Sequence, residues 1–202
     1  MKAKRLDTRR MVLLAMLSGI LLIMSFTPLG YLNIGPLAIS LNMIPVAIGA
    51  VALGPGGGAF LGAVFGITSC LQCVGIGGIS QMGVILFEIS PILTIIQRFF
   101  TRLLAGWLTG FVYKWLHKSR FLLASYIAGF SAALFNTVFF MAALVLLFGY
   151  TEYLQNLIAG RNVFLFIFSF VGINAVVEMF AATVAVGIVC KALEKLRMIG
   201  GK

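Results

Sequence analysis

The sequence predicts an all-α integral membrane bundle of six transmembrane helices with both termini cytoplasmic. Three observations carry that expectation. Of 202 residues, 61% are hydrophobic and 10% charged, and the mean hydropathy is +1.11. A soluble domain carries about 25% charge, and a fold this small leaves too much surface wet to hide so much apolar side chain. Apolar runs recur near the ~20-residue length that a bilayer crossing needs. Finally, the basic residues behind a net charge of +10 gather in three short clusters, Lys2–Arg10, Lys114–Arg120 and Lys191–Lys202. Basic clusters flanking apolar segments mark cytoplasmic loops, so the charge reads as topology rather than as a nucleic-acid surface.

The elements follow in order as one transmembrane domain, residues 1–202. A basic arm, 1–10, precedes a helix bundle, 11–190, and a basic tail, 191–202, ends the chain. The arm and the apolar run after it mimic a signal peptide, but no A-x-A-like cleavage site follows and the run is long for one. It is read as a retained first span, Met11–Thr27. The remaining spans are Ile39–Leu53, Gly57–Val74, Pro91–Trp115, Phe121–Phe148 and Val163–Cys190. The second is short and holds Asn42 and Pro45, which predicts a tilted or broken crossing. An even number of spans puts all three basic clusters on one side, the cytoplasm. The opposite loops, Pro28–Ala38, Gly75–Ser90 and Gly149–Asn162, carry only Glu88, Glu152 and Arg161 as charges. The first two are rich in glycine or proline yet apolar between those turn formers. Such loops fold onto the protein as a lid, or serve simply as connectors.

Small residues stripe several spans. Gly58, Gly62 and Gly66 share a face of the third span, Gly106 and Gly110 one of the fourth, and Ala15 and Gly19 one of the first. Missing side chains let backbones approach where lipid supplies no hydrophobic drive. The stripes at Gly58 and Gly106 read as internal packing. That at Ala15 and Gly19 suits internal packing and docking to another membrane subunit equally.

Chemistry concentrates in the fourth span. Arg98 and Arg102 lie one turn apart on the same face, and a charge at bilayer depth costs about 2.5–3.5 kcal/mol or more unless it meets a partner, water or ligand. Glu178 is the one acidic residue deep in another span, so a positive surplus remains and points to an anionic small molecule. At a rise of about 1.5 Å per residue, Arg98 and Arg102 lie roughly 10 and 16 Å below the outer end of their span, and Asn174 and Glu178 roughly 16 and 22 Å below theirs. Asn136 and Thr137 fall near mid-depth of the fifth span. The expected arrangement pairs Arg102 with Glu178 and leaves Arg98 for a ligand carboxylate, whose two oxygens suit the forked guanidinium. Asn136, Thr137 and Asn174 would read amide or hydroxyl groups. The competing reading has both arginines snorkelling to the outer interface.

Taken together, these segments resemble the substrate-binding S component of energy-coupling factor (ECF) vitamin transporters over nearly the whole chain. The resemblance rests on the basic arm before the Ala15 stripe, the run Ile44–Pro55 with Gly57–Gly66 behind it, Arg102–Gly106, Asn136–Thr137 and Asn174 with Glu178. It implies a six-helix subunit of the bacterial plasma membrane that binds a vitamin from outside. It further implies a transmembrane coupling subunit and two ATPase subunits as partners. Docking would run through the first helix at Ala15 and Gly19, where glycine replaces the family's second alanine. The Gly54–Gly62 pattern and the Thr27–Gly30 loop look most like pantothenate-type members; riboflavin and folate members share much of the pattern.

Other classes fare less well. A stand-alone channel or secondary transporter often shows internal repeats, and none is evident. A hydrolase would want a nucleophile beside a histidine base, yet the only histidine, His117, sits in a basic loop. No GxxxxGK[ST] phosphate loop occurs. Cys70 and Cys73 form a CxxC without a second ligand pair and read, like Cys190, as small packing residues. No cofactor or metal is expected.

Overall fold

A computed structural model describes residues 8–33, 38–78, 80–117, 120–160 and 162–196. Most of the basic arm, Lys118 and the end of the basic tail lie outside the described residues, as does Arg161. The elements are α1 (Thr8–Phe26), a 3₁₀ turn (Pro28–Gly30), β1 (Tyr31–Asn33), β2 (Ala38–Ser40), α2 (Met43–Leu53) and α3 (Pro55–Leu71). A second 3₁₀ turn (Gln72–Val74), α4 (Gln81–Ile89), α5 (Pro91–Leu116), α6 (Phe121–Phe148), α7 (Glu152–Ile158) and α8 (Val163–Lys195) follow.

The chain is all-α, with one departure among the described residues: β1 and β2 pair antiparallel, Tyr31 opposite Ser40 and Asn33 opposite Ala38. This hairpin corrects two expected boundaries. It occupies the loop after the first span, and it takes Ile39 and Ser40 out of the expected second span. At about 1.5 Å per residue, the 11 residues of α2 reach only about half of a ~30 Å hydrocarbon core. Gly54 then breaks the chain at φ 78°, ψ −167°, and Pro55 opens α3 at its first turn, where a missing N–H costs nothing. The other two loops also contain helix. Ser80 caps α4 by accepting the Gly83 N–H, and Thr151 caps α7 by accepting the Leu154 N–H.

Among the described residues, four helical segments are long and apolar enough to cross a membrane: Thr8–Phe26, Pro55–Val74, Phe121–Phe148 and Asn174–Lys195. α5 is long enough at 26 residues, but Gln97, Arg98 and Arg102 lower its average hydropathy. Those residues all lie on its buried face, with Thr94, Thr101 and Thr109. Polar atoms thus turn inward while Ile92, Phe100, Trp107 and Trp115 turn out.

Two apolar cores hold the bundle. One joins Leu13, Leu17 and Leu21 of α1, four residues apart, to Val46, Leu61, Phe65, Ala128 and Val186. The other, toward the far end of α6, gathers Met82 and Leu86 of α4, Met141, Leu144 and Phe148 of α6, Leu154 of α7 and Phe166 of α8. Between α3 and α5 the glycine stripes do what their spacing predicts. A β-carbon at Gly58 would collide with the Gly106 carbonyl, and one at Gly62 with the Arg102 carbonyl. The backbone carrying both arginines therefore rests directly on α3.

Candidate functional site

A cavity of about 570 Å³ opens beside the second core. All six residues expected to form a site line it: Arg98 and Arg102 from α5, Asn136 and Thr137 from α6, Asn174 and Glu178 from α8. The arginines do not snorkel. Arg98 is 4% exposed and Arg102 6%.

Arg98 is held by two neutral hydroxyls. Its Nη1 donates to Ser69 Oγ of α3 at 2.8 Å and its Nη2 to Ser80 Oγ at 3.0 Å. Its Nε is buried without a hydrogen-bond partner, and among the described residues no carboxylate pairs with it. Arg102 donates from Nη1 to the Arg98 carbonyl at 2.9 Å. Its guanidinium lies 4.5 Å from the centre of the Phe65 ring and 5.8 Å from that of Phe140, and Arg98 lies 6.0 Å from Phe140. Ring faces attract cations at such distances, more strongly when water is excluded.

Glu178 shares the cavity with Arg102. Glu178 Oε1 accepts the backbone N–H of Ser40 at 2.6 Å, a partner that no sequence spacing predicts. The carboxylate thus ties the β-hairpin to α8. An unmade hydrogen bond on a buried N–H costs about 1–3 kcal/mol. Glu178→Ala is therefore expected to lower the thermal midpoint of the detergent-purified protein, whereas Glu178→Gln, which keeps an acceptor oxygen, holds it. Equal midpoints for the two variants would remove the hairpin tie.

Asn136 is 9% exposed and its Oδ1 has no hydrogen-bond partner. Thr137 and Asn174 complete the polar side. Met82, Phe140, Met141 and Val171 supply an apolar wall, and all four belong to or pack on the second core. Loop residues close the rim: Thr27 and Pro28 after α1, Ser40 of the hairpin, and Gly77, Gly78 and Ser80 before α4. The Gly77 backbone packs on the Phe26 ring so closely that a β-carbon would overlap it.

Ser69, Ser80 and Phe140 escaped the sequence reading. Ser69 had a signal, because it continues the Gly58–Gly62–Gly66 stripe by one more turn toward α5. Ser80 and Phe140 had none beyond a helix-capping residue type and an aromatic in an apolar run. Cys70 is half-buried, Cys73 and Cys190 are buried, and all three are free. Among the described residues no cluster of three or more His, Cys, Asp or Glu could hold a metal ion. On α1, Ala15 is exposed and a β-carbon on Gly19 would meet nothing within 4 Å. Their face turns away from Leu13, Leu17 and Leu21, so this stripe is not used for packing inside the bundle.

Known proteins resemble this chain over nearly its full length. The family described as "ECF transporter, substrate-specific component" matches residues 9–190. The pantothenate transporter PanT of Leuconostoc mesenteroides is 27% identical over 197 residues, covering 92% of each chain.

Proposed function

The chain belongs to the ECF transporter substrate-specific components, and from that premise we propose that it is the high-affinity binding subunit of an ATP-driven uptake system, taking pantothenate from the outer side. As a member of that family it is an integral membrane protein that serves vitamin transport and is not an enzyme. Six crossings are formed by α1, the hairpin with α2, α3, α5, α6 and α8, with both termini cytoplasmic. Arg9, Arg10, Lys114, Arg120, Lys191 and Lys195 then all fall at the cytoplasmic end, in keeping with the excess of positive charge on that side. The cavity opens outward.

The observation that carries this reading is Arg98: a buried cation in a cavity, whose guanidinium hydrogen-bonds to serine hydroxyls and meets no carboxylate among the described residues. A ligand carboxylate supplies the counter-charge that Arg98 lacks among the described residues. Asn136, Thr137 and Asn174 take the amide and hydroxyl groups of the ligand, and the Met82–Met141–Val171 wall takes its aliphatic part. Glu178 holds the hairpin over the site, and the hairpin and the 75–80 loop act as its lid. The volume lies within the ~300–1,000 Å³ usual for small-molecule sites. Pantothenate, named for the relative PanT, has one carboxylate and fits this chemistry better than an uncharged vitamin.

Docking runs through the exposed Ala15–Gly19 face of α1 onto a transmembrane coupling subunit driven by two ATPases. Liposomes carrying this chain with the coupling and ATPase subunits are expected to accumulate labelled pantothenate only with internal ATP. Accumulation by this chain alone, without ATP, would instead make it a self-sufficient transporter. Failure of calorimetry to detect pantothenate binding to the purified chain would reject the substrate.

A further inference from the structure

We propose that the first turn of α4 belongs to the binding site: Ser80 hydrogen-bonds the ligand's carboxylate, and Gly83 positions Arg98 by having no side chain. The inference rests on the reading that Arg98 meets a carboxylate, and it adds two residues and an element to it.

Ser80 sits in extended conformation at the N-cap of α4, with φ −87° and ψ 98°. Its Oγ accepts two hydrogen bonds, from the Gly83 N–H at 3.3 Å and from Arg98 Nη2 at 3.0 Å. A hydroxyl has two acceptor sites and one proton to give. Both acceptor sites are taken, so what remains is the O–H as a donor, and Ser80 lines the cavity. Polarised by a guanidinium at its oxygen, that O–H is a strong donor to an anion, since hydrogen bonds in such chains reinforce one another. The carboxylate then finds Arg98 and the Ser80 proton side by side.

Gly83 is one turn further along the same helix. A β-carbon there would lie 2.6 Å from Arg98 Nη2, 2.9 Å from Arg98 Cζ and 2.9 Å from Cys73 Sγ. The atoms in the way are ends of side chains, not backbone, so an added methyl displaces the guanidinium rather than the helix. Alanine is otherwise favoured over glycine inside a helix by about 0.5–1 kcal/mol. Gly83→Ala therefore separates binding from folding: it should weaken the ligand without weakening the protein. A residue with a merely structural role would move both together.

The same contacts work in reverse. Because Arg98 is clamped to the residue that caps α4, an anion drawing on Arg98 and Ser80 also reinforces the start of α4. Removing Arg98 should loosen that turn even with no ligand present.

The test uses the full chain in detergent, with pantothenate as the probe. Gly83→Ala and Ser80→Ala are expected to lower affinity by at least about tenfold, the range for one charge-assisted hydrogen bond, while Ser80→Thr stays within about twofold because it keeps the hydroxyl. The thermal midpoint of unliganded Gly83→Ala should equal or exceed that of wild type. Wild-type affinity in Gly83→Ala, or affinity and midpoint falling together, would overturn the proposal. Amide exchange at Gly83 and Val84 without ligand provides the independent arm: Arg98→Ala should speed it by about fivefold or more. If wild type does not bind pantothenate, the substrate reading fails. The exchange arm then decides this inference by itself, and unchanged exchange sinks it.

Discussion

Arg98→Ala is expected to reduce pantothenate affinity by about 30- to 150-fold, the equivalent of 2–3 kcal/mol. The magnitude follows from burial. Arg98 is 4% exposed, so its attraction for a carboxylate is weakly screened by water, and the cost of burying its charge has already been met in the folded protein. Removing it leaves a carboxylate facing the Ser69 and Ser80 hydroxyls, which donate hydrogen bonds but carry no charge. Stability should change little, because what is lost in two serine contacts is offset by no longer holding a cation in a dry place. Arg98→Lys should fall between, since an ammonium keeps the charge but not the fork that spans Ser69 and Ser80. Titration calorimetry with a thermal midpoint measured on the same preparations checks all three statements. Normal binding by Arg98→Ala would move the carboxylate site away from α5.

Gly62→Val is expected to prevent accumulation of folded protein. A β-carbon at Gly62 meets the Arg102 carbonyl and comes within 3.1 Å of the Leu103 Cα. Neither is a side chain that can turn away. The seam must open along its length, separating Gly58 from Gly106 and shifting the two arginines relative to Ser69. Overpacking a core costs about 1–3 kcal/mol when side chains can rearrange, and here backbone meets backbone, so the cost lies above that range. Gly56→Ala is the control: it stands nearly two turns earlier in the same helix, with nothing within 4 Å of the added carbon, and should keep or slightly raise stability. Size-exclusion profiles and thermal midpoints of the two variants make the comparison. A Gly62→Val protein with wild-type midpoint would show that α3 and α5 are not in direct contact there.

Most of the helical architecture was legible in the chain because membrane helices announce themselves locally. Phe121–Phe148 has the same limits in sequence and structure, and α5 and α8 begin where Pro91 and Val163 were expected to begin them. Polar residues in apolar runs were also legible as an inward-facing set, since lipid tolerates them nowhere else; hence six residues from three helices line one cavity. The errors came where local rules are silent. The hairpin was read partly as loop and partly as span, because three-residue strands with apolar side chains look like either. α4 and α7 were read as parts of outer loops, lid or connector, being too short to cross and too apolar to stand out.

What the sequence determined by itself is the solvent of this protein, lipid, and the presence of a buried positive surplus, both of which are sums over residue types. The tertiary structure decided who answers each charge. Glu178 meets the backbone of Ser40, 138 positions away, and Arg98 meets Ser69 and Ser80 across two other helices. No spacing rule predicts such partners, because they depend on how closely glycine lets α3 and α5 approach and on where the hairpin comes to rest.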